Sequence, residues 1–403
     1  MIGLQVVDDS GDIAGAYCTR LLATCGATVV KIEPPTGDPL RHQPPFPRVA
    51  GASGSRPVAA RFEYLNSFKR GITVDTSAAS GQHVRDSLYA SADVIVSSCN
   101  GDPERALLAD DEIRRRWSRC VHVVTSPYGL TGPYATYRGS ELTNWASGGF
   151  LQITGDPDRE PVQGGGPWAD YATGATAAVA ALAAVRSAAI AGVGELVDVG
   201  TMEVMAALHQ WSVVLFTHQG VIKRRAGNRH AESFHPMGPL PCRDGFVAVG
   251  TATVPQWEAF CIAIDQPELL VDERFQTGGD RFDNADALNA ELFPRLSEID
   301  ADELVERLQD AHVPASKVLD VASLLDDRQL AARRYWAELQ VGSTTAKLPS
   351  KPFRIASADP PFRPAPRAGE HSEEILRDLG YDAAEVEVLV ASGAVGVALE
   401  ETS

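Results

Sequence analysis

The first thirty-five residues constrain the fold most. An apolar run at Leu4 to Val7 is followed by a loop containing Gly11 and Gly15, a helical pattern from Ala16 to Cys25, and a second apolar run from Thr28 to Ile32 closed by Glu33-Pro34-Pro35. Short apolar runs on either side of a helical stretch spell a βαβ unit, in which two parallel strands are joined by a crossover helix. Strand-like runs recur at Gly71 to Val74, Asp93 to Val96 and Val121 to Thr125, with helical pieces between them. The sequence therefore predicts an α/β fold with a mostly parallel sheet, whose ligand edge lies at the carboxyl ends of the strands. Proline and glycine crowd residues 34–55, which predicts a long ordered loop over that edge.

At 403 residues the chain predicts two domains. A long helix runs from Asp170 to about Ile190, followed by a strand at 195–199 and a helix from Met202 toward His218. A basic linker, Lys223-Arg224-Arg225 through Arg229-His230, breaks the pattern. Beyond it, residues 240–320 read as a smaller α+β unit, with a strand at Gly245 to Gly250 and helices at Gln256 to Ala263, Ala287 to Leu296 and Ala301 to Ala311. Proline-rich segments at 359–366 precede two final helices, from Ser372 and from Asp382, where Asp382 and Glu385 form a capping box. The boundaries that follow are 1–220 for the larger domain, 221–240 for a linker, 241–325 for the smaller domain and 326–403 for a second linker with the terminal helices.

A formal net charge of −17 argues against nucleic acid as a partner, so an anionic ligand would need a local basic site. The six cysteines, at 18, 25, 99, 120, 242 and 261, lack CxxC spacing and read as reduced, buried thiols of a cytoplasmic protein. The longest weakly polar run, Gly174 to Ala191, is alanine-rich and carries Arg186, so no membrane span is expected.

The chemistry is expected at Gly164-Gly165-Gly166-Pro167-Trp168-Ala169-Asp170-Tyr171-Ala172-Thr173-Gly174. Glycines allow close backbone approach to a ligand, and a helix start offers unpaired N–H groups and the positive end of a dipole. Asp170 is the leading nucleophile; the plainer reading is a helix cap. Other candidates carry less. Gly11-Asp12-Ile13-Ala14-Gly15 is not GxGxxG, which speaks against a nicotinamide cofactor with Glu33 on its ribose. His122 reads as a satisfied strand histidine, Arg114-Arg115-Arg116 as a solvated helix face, and His230 with His235 lacks companions at metal-ligand spacing, so no metal site is expected. No GxSxG elbow or Ser/His/Asp arrangement is apparent.

Taken together, the segments resemble the family III coenzyme A transferases of the CaiB/BaiF type, which include formyl-CoA transferase and share their fold with 2-methylacyl-CoA racemases. The resemblance rests on Ile13-Ala14-Gly15-Ala16-Tyr17, Gly26-Ala27-Thr28-Val29-Val30-Lys31-Ile32-Glu33-Pro34-Pro35, Gly37-Asp38-Pro39-Leu40-Arg41 and Asn66-Ser67-Phe68-Lys69-Arg70-Gly71. To these are added Ala92-Asp93-Val94-Ile95-Val96, Tyr128-Gly129, Gly132-Pro133, the Asp170 segment, Val313-Pro314-Ala315 and Gly369-Glu370-His371-Ser372. It implies a Rossmann-like large domain built from both chain ends, a small domain between them, and an interlocked homodimer. It also implies a CoA transferase acting on acyl-CoA and a carboxylic acid, with CoA as substrate and no tightly bound cofactor.

By the same resemblance the catalytic aspartate falls on Asp170, and Glu141 lies beside it to position substrate or nucleophile. Arg41, Lys69, Ser98, Arg105 and Arg138 fall where CoA contacts occur, and backbone at Ile13 and Ala14 flanks the pantetheine arm. Gly165 and Gly166 are candidates for stabilising oxyanions. Racemases of this fold place a histidine where Arg138-Gly139-Ser140-Glu141 has serine, which favours transfer over racemisation. A non-catalytic acyl-CoA-binding subunit is the other alternative. Ile13 replaces a common Gln, Ser98 a common Asn, and Glu232 to Pro239 a glycine-rich loop, which points away from formyl or oxalyl substrates toward a larger, more apolar acid.

Overall fold

The computed structural model describes residues 3–46, 59–229, 234–341, 344–357 and 360–398; His230, Glu232, Ser233 and part of the predicted 34–55 loop lie outside them. Six strands form the centre: β1 (Gln5–Asp9), β2 (Thr28–Glu33), β3 (Arg70–Val74), β4 (Val94–Ser98), β5 (Val121–Ser126) and β6 (Leu196–Gly200). They pair in parallel in the order β3-β2-β1-β4-β5-β6, and Val395–Gly396 returns from the C-terminal segment to add an antiparallel edge to β3. The order reverses between β1 and β4, which makes their carboxyl ends the switch point of the sheet.

Strand alternation sorts the core into two layers. Val6, Val29, Val94, Val96, Val121 and Val123 pack on one side with helices α1 (Ile13–Thr24) and α3 (Trp168–Ala191); α2 (Glu141–Ser147) precedes α3 in the chain. Val7, Val30, Ile32 and Ile95 pack on the other with Val84, Leu88 and Ile113 and with Ile375, Leu376, Val386 and Leu389 of the terminal helices. α1 begins three residues before the predicted Ala16 because Asp12 caps it, accepting from the Gly15 N–H at 2.8 Å.

α3 is long and apolar enough to cross a membrane by length and composition alone, yet it buries Ala177, Ala178, Ala181, Ala184 and Ala188 in the core. Its crossing with α1 is tight. A Cβ on Gly174 would come within 2.5 Å of the Ala14 carbonyl oxygen, so only glycine fits there.

Below the sheet edge lies a closed ion network. Lys69, 2% exposed, donates to Asp8 at 2.8 Å, to Asn66 at 2.8 Å and to the Ala16 carbonyl at 2.9 Å. Lys31 pairs with Asp8 at 3.4 Å and Asp38 at 2.7 Å. Burial alone would raise the Asp8 carboxyl, but the two ammonium groups hold it below its ordinary range.

The chain divides into two compact units, residues 1–148, 165–209 and 329–403 against residues 149–164 and 210–328. The boundary at 210 replaces the expected 220, and residues 149–164 join the smaller unit rather than the larger. Hydrogen bonds account for that placement: Gly227 N–H donates to the Gly155 carbonyl at 2.9 Å, and Arg225 donates to the Asp156 carbonyl at 3.1 Å. The smaller unit is α+β, with the antiparallel sheet β7 (Met237–Cys242), β8 (Gly245–Gly250) and β9 (Ala315–Lys317) against helices carrying Trp257, Phe260, Leu288, Leu292, Leu304 and Leu308. β7 falls partly inside the expected linker; as an edge strand it tolerates Pro239 and Pro241.

Gly174→Ala tests the helix crossing. Alanine is the better helix former, yet the variant is expected to lose about 1–3 kcal/mol of stability, read as a lower denaturant midpoint, because the helices must separate.

Candidate active site

Asp170 is the third residue of α3, whose N-cap is Pro167 and has no side-chain cap bond. The capping role open to Asp170 from sequence is therefore not the one it takes. Capping comes instead from Glu141, the first residue of α2: its carboxylate accepts from the Ala169 N–H at 2.9 Å, the Asp170 N–H at 3.2 Å and the Trp145 indole N–H at 2.8 Å. Glu141 thus fixes the backbone that carries Asp170 while its charge meets the positive end of α3. Ser140 caps α2 in turn through a capping box with Thr143.

The Asp170 carboxylate itself is half-buried and accepts no hydrogen bond from any described residue. One turn later on α3, Gly174 lies against Ala14, so the same helix face brings Asp170 to the first turn of α1. The Ile13 and Ala14 N–H groups are among the first-turn donors that a helix leaves unpaired. Asp12 is the residue that sequence reasoning missed. It is in electrostatic contact with Asp170, and its carboxylate accepts from Gly15 N–H and from the Thr125 hydroxyl at 3.3 Å. Its signal was an Asp three residues before a glycine at a helix start.

Burial first, then the charges of Asp12 and Glu141, push the Asp170 carboxyl up to about 7, with Arg61 opposing. Burial likewise lifts Asp12 to about 6 against its two hydrogen bonds. A carboxylate without hydrogen bonds, raised toward neutrality and placed between two helix starts, is chemically suited to attack a carbonyl carbon.

The remaining residues singled out in the sequence divide into free and engaged groups. Arg41 is engaged: it grips Glu33 bidentately at 2.6 Å and 2.6 Å, donates to the Pro366 carbonyl at 2.7 Å and lies 3.8 Å from the Phe62 ring centre. That pairing also takes up the Glu33 carboxylate. Lys69 is enclosed in the ion network, where burial lowers it to about 8. Ser98 accepts from the Gly11 N–H at 3.2 Å, tying β4 to the loop before α1. Arg105 and Arg138 are exposed, and the Arg138 side chain passes beside Gly101 at the β4 edge. Gly165 and Gly166 are exposed just before α3; Gly166 has φ +96°, and the Gly165 carbonyl accepts from the Trp168 indole. His235, in the smaller unit, shares a 2.8 Å hydrogen bond with Asn289.

The raised Asp170 is directly observable. Its carboxyl carbon is expected to titrate near 7 by NMR, and Asp12→Asn, which removes one negative neighbour, is expected to lower that midpoint while burial keeps it above 3.8.

Comparison with known proteins gives a consistent picture. The family model described as CoA-transferase family III matches residues 1–372. The chain is 32% identical over 412 residues to the succinyl-CoA:(R)-benzylsuccinate CoA-transferase subunit BbsE of Thauera aromatica, covering 97% of each chain. It is 30% identical over 387 residues to the succinyl-CoA:mesaconate CoA-transferase of Haloarcula marismortui, covering 94% of this chain and 96% of that one. Among solved structures it resembles a CAIB/BAIF family protein from Brucella suis, with a TM-score of 0.82, 29% identity, and coverage of 94% of this chain and 98% of the other.

Proposed function

The chain belongs to CoA-transferase family III and is a CoA transferase; from that premise we propose that it carries CoA from a donor acyl-CoA to an acceptor carboxylic acid through covalent intermediates on Asp170. The single observation that carries this reading is the carboxylate at the α1 and α3 helix starts, raised toward neutrality and without a hydrogen-bonding partner among the described residues. An Asp170 oxygen attacks the thioester carbonyl; the C–S bond breaks, CoA thiolate leaves and an aspartyl mixed anhydride forms. The thiolate then attacks the aspartyl carbonyl, the donor acid leaves as carboxylate, and CoA is held on Asp170 as a thioester. The acceptor carboxylate attacks that thioester and releases the thiolate, giving a second anhydride. Attack of the thiolate on the acceptor acyl carbon makes the new acyl-CoA and frees Asp170. No water is consumed.

Each residue has a part in this reading. Glu141 positions Asp170 through the backbone, and the N–H groups of Ile13, Ala14, Gly165 and Gly166 are the candidates for the tetrahedral oxyanions. Arg105 and Arg138 supply exposed cations for the phosphates of CoA, and Ser98 holds the loop over which the ligand runs. Arg41 and Lys69, already paired, shape that edge through Glu33 and Asp8. Succinyl-CoA is the proposed donor, on the strength of relatives named for it, and an organic acid the acceptor. Ser140 works as a helix cap where a racemase would need an imidazole, which supports transfer over racemisation.

A homodimer in the cytoplasm completes the proposal. The exposed Val179, Leu182 and Ile190 of α3 suit burial against a second copy, and six free, buried cysteines suit a reducing compartment. Sedimentation is expected to give twice the 43.0 kDa chain mass; a monomer at micromolar concentration would refute that part.

The covalent reading is tested by incubating enzyme with succinyl-CoA and locating a CoA adduct by mass spectrometry on the peptide containing Asp170. Asp170→Ala is expected to lose the adduct and to cut transfer at least about a thousandfold, as for other essential nucleophiles. Full transfer by that variant would end the proposal.

A further inference from the structure

Asp170 stands among charges that any acid reaching it has to meet. Asp12 and Glu141 act on it with one sign, and Arg61 is the cation that opposes them. An acid bound there adds a further negative charge, and in a half-buried place with little solvent screening like charges repel strongly. A reacting carboxylate loses its charge when it becomes an anhydride or a thioester. A second carboxylate on the same acid keeps its charge through every intermediate, so it needs a lasting counter-charge.

Arg61 sits on the helix Ala60–Asn66, three residues before Tyr64 and therefore beside it on the helix surface. The Tyr64 ring centre lies 6.3 Å from that of Tyr171, the residue after Asp170, and Tyr17 of α1 completes the group at 4.8 Å from Tyr171 and 6.4 Å from Tyr64. These ring contacts hold the Arg61 helix against the first turn of α3. Among the described residues the guanidinium makes one hydrogen bond, from Nη1 to the Gln43 side-chain carbonyl at 3.3 Å, and pairs with no carboxylate, Asp170 included. Its neighbours are engaged. Arg41 is held by Glu33, and Arg20 by the Tyr64, Pro349 and Ser350 carbonyls. Burial pushes the Tyr171 hydroxyl up to about 12, so it keeps a proton to donate, and it has no hydrogen-bond partner among the described residues.

A guanidinium with open donors, a phenol with a proton to give and three half-buried rings suit a short chain that ends in a carboxylate. The rings flank its methylene groups and the donors meet its charge. We propose that Arg61, with the Tyr171 hydroxyl, binds the non-reacting carboxylate of a dicarboxylic acyl group while the other carboxyl reacts at Asp170, and so determines specificity. This rests on the covalent transferase reading above and names the class of acid it takes. An acyl group of the same length ending in a methyl would leave the guanidinium desolvated and unpaired, so the site selects against monocarboxylic acids.

The test compares succinyl-CoA with butyryl-CoA, in which a methyl group replaces the free carboxylate, on the intact enzyme. The readout is the rate at which each thioester places CoA on the Asp170 peptide, followed by mass spectrometry over a range of concentrations. The wild type is expected to favour succinyl-CoA by about a hundredfold or more. Arg61→Gln is expected to bring that ratio close to one, chiefly by raising the half-saturating concentration of succinyl-CoA, and Arg61→Lys to keep part of it. Tyr171→Phe is expected to lower it about tenfold. Thermal melts confirm that the variants fold. Equal rates with both thioesters in the wild type overturn this inference and leave the transferase reading intact. Equal losses with both thioesters in Arg61→Gln make Arg61 structural and overturn it too. Absence of a CoA adduct from either thioester overturns the covalent transferase reading and this inference with it.

Discussion

Contact between α1 and α3 at Gly174 is the constraint on which the site depends. A side chain there would collide with the Ala14 carbonyl, so the helix backbones come as close as glycine permits. That approach brings the first turns of both helices to one edge, with Asp12 capping one and Glu141 capping the other. The caps are unlike. Asp12 serves its own helix, whereas Glu141 reaches from α2 to the start of α3, so three helices meet at a single place. Widening the crossing would loosen the relation between Asp170 and the α1 N–H groups before it disturbed the sheet.

The same packing sets the electrostatics. Three carboxylates, Asp12, Glu141 and Asp170, gather where helix dipoles favour negative charge, and the arrangement is still strained in favour of the protonated forms of Asp12 and Asp170. A carboxyl whose folded value lies above its unfolded value costs stability as pH rises through that interval, here from about 4 to about 7 for Asp170. Asp8 works in the opposite sense: its depressed carboxyl, locked between Lys31 and Lys69, contributes stability at neutral pH that is lost on acidification. A buried pair of this kind holds a unique geometry more than it adds net energy, but removing one partner would strand a charge. Asp170 is thus the destabilised carboxylate, and the charge beneath the sheet is the satisfied one.

Sequence reading recovered what local periodicity encodes. β1 to β6, α3 and the terminal helices fall within a few residues of expectation, because each carries its own apolar pattern and stop signals. Asp170 was singled out by its glycine-rich helix start and Glu141 through the resemblance, and their arrangement needed the structure: nothing local says that Glu141 caps a helix beginning twenty-seven residues later. The hairpin of Trp336–Val341 with Thr344–Pro349 was overlooked although Ala337 and Leu339 alternate with Glu338 and Gln340. The placement of 149–164 with the smaller unit was illegible, since it rests on bonds to Arg225 and Gly227. His122 was read as a satisfied strand histidine, which its bonds to Ser97 and Asp110 agree with; that Ser97 and His122 line a cavity together is a long-range fact of β4 and β5.

The two faces of the sheet also explain how an acidic chain can serve an anionic substrate. Alternation along β1 sends Asp8 toward α1, where lysines neutralise it, and Asp9 to the other face, where Tyr89 donates to it. One residue of register therefore separates a carboxylate enclosed among lysines from one that lines a cavity. Phosphates need only a few local cations, and Arg105 and Arg138 are exposed at this end of the sheet. A net charge of −17 is compatible with an anionic substrate where exposed arginines gather locally rather than spread over a basic surface.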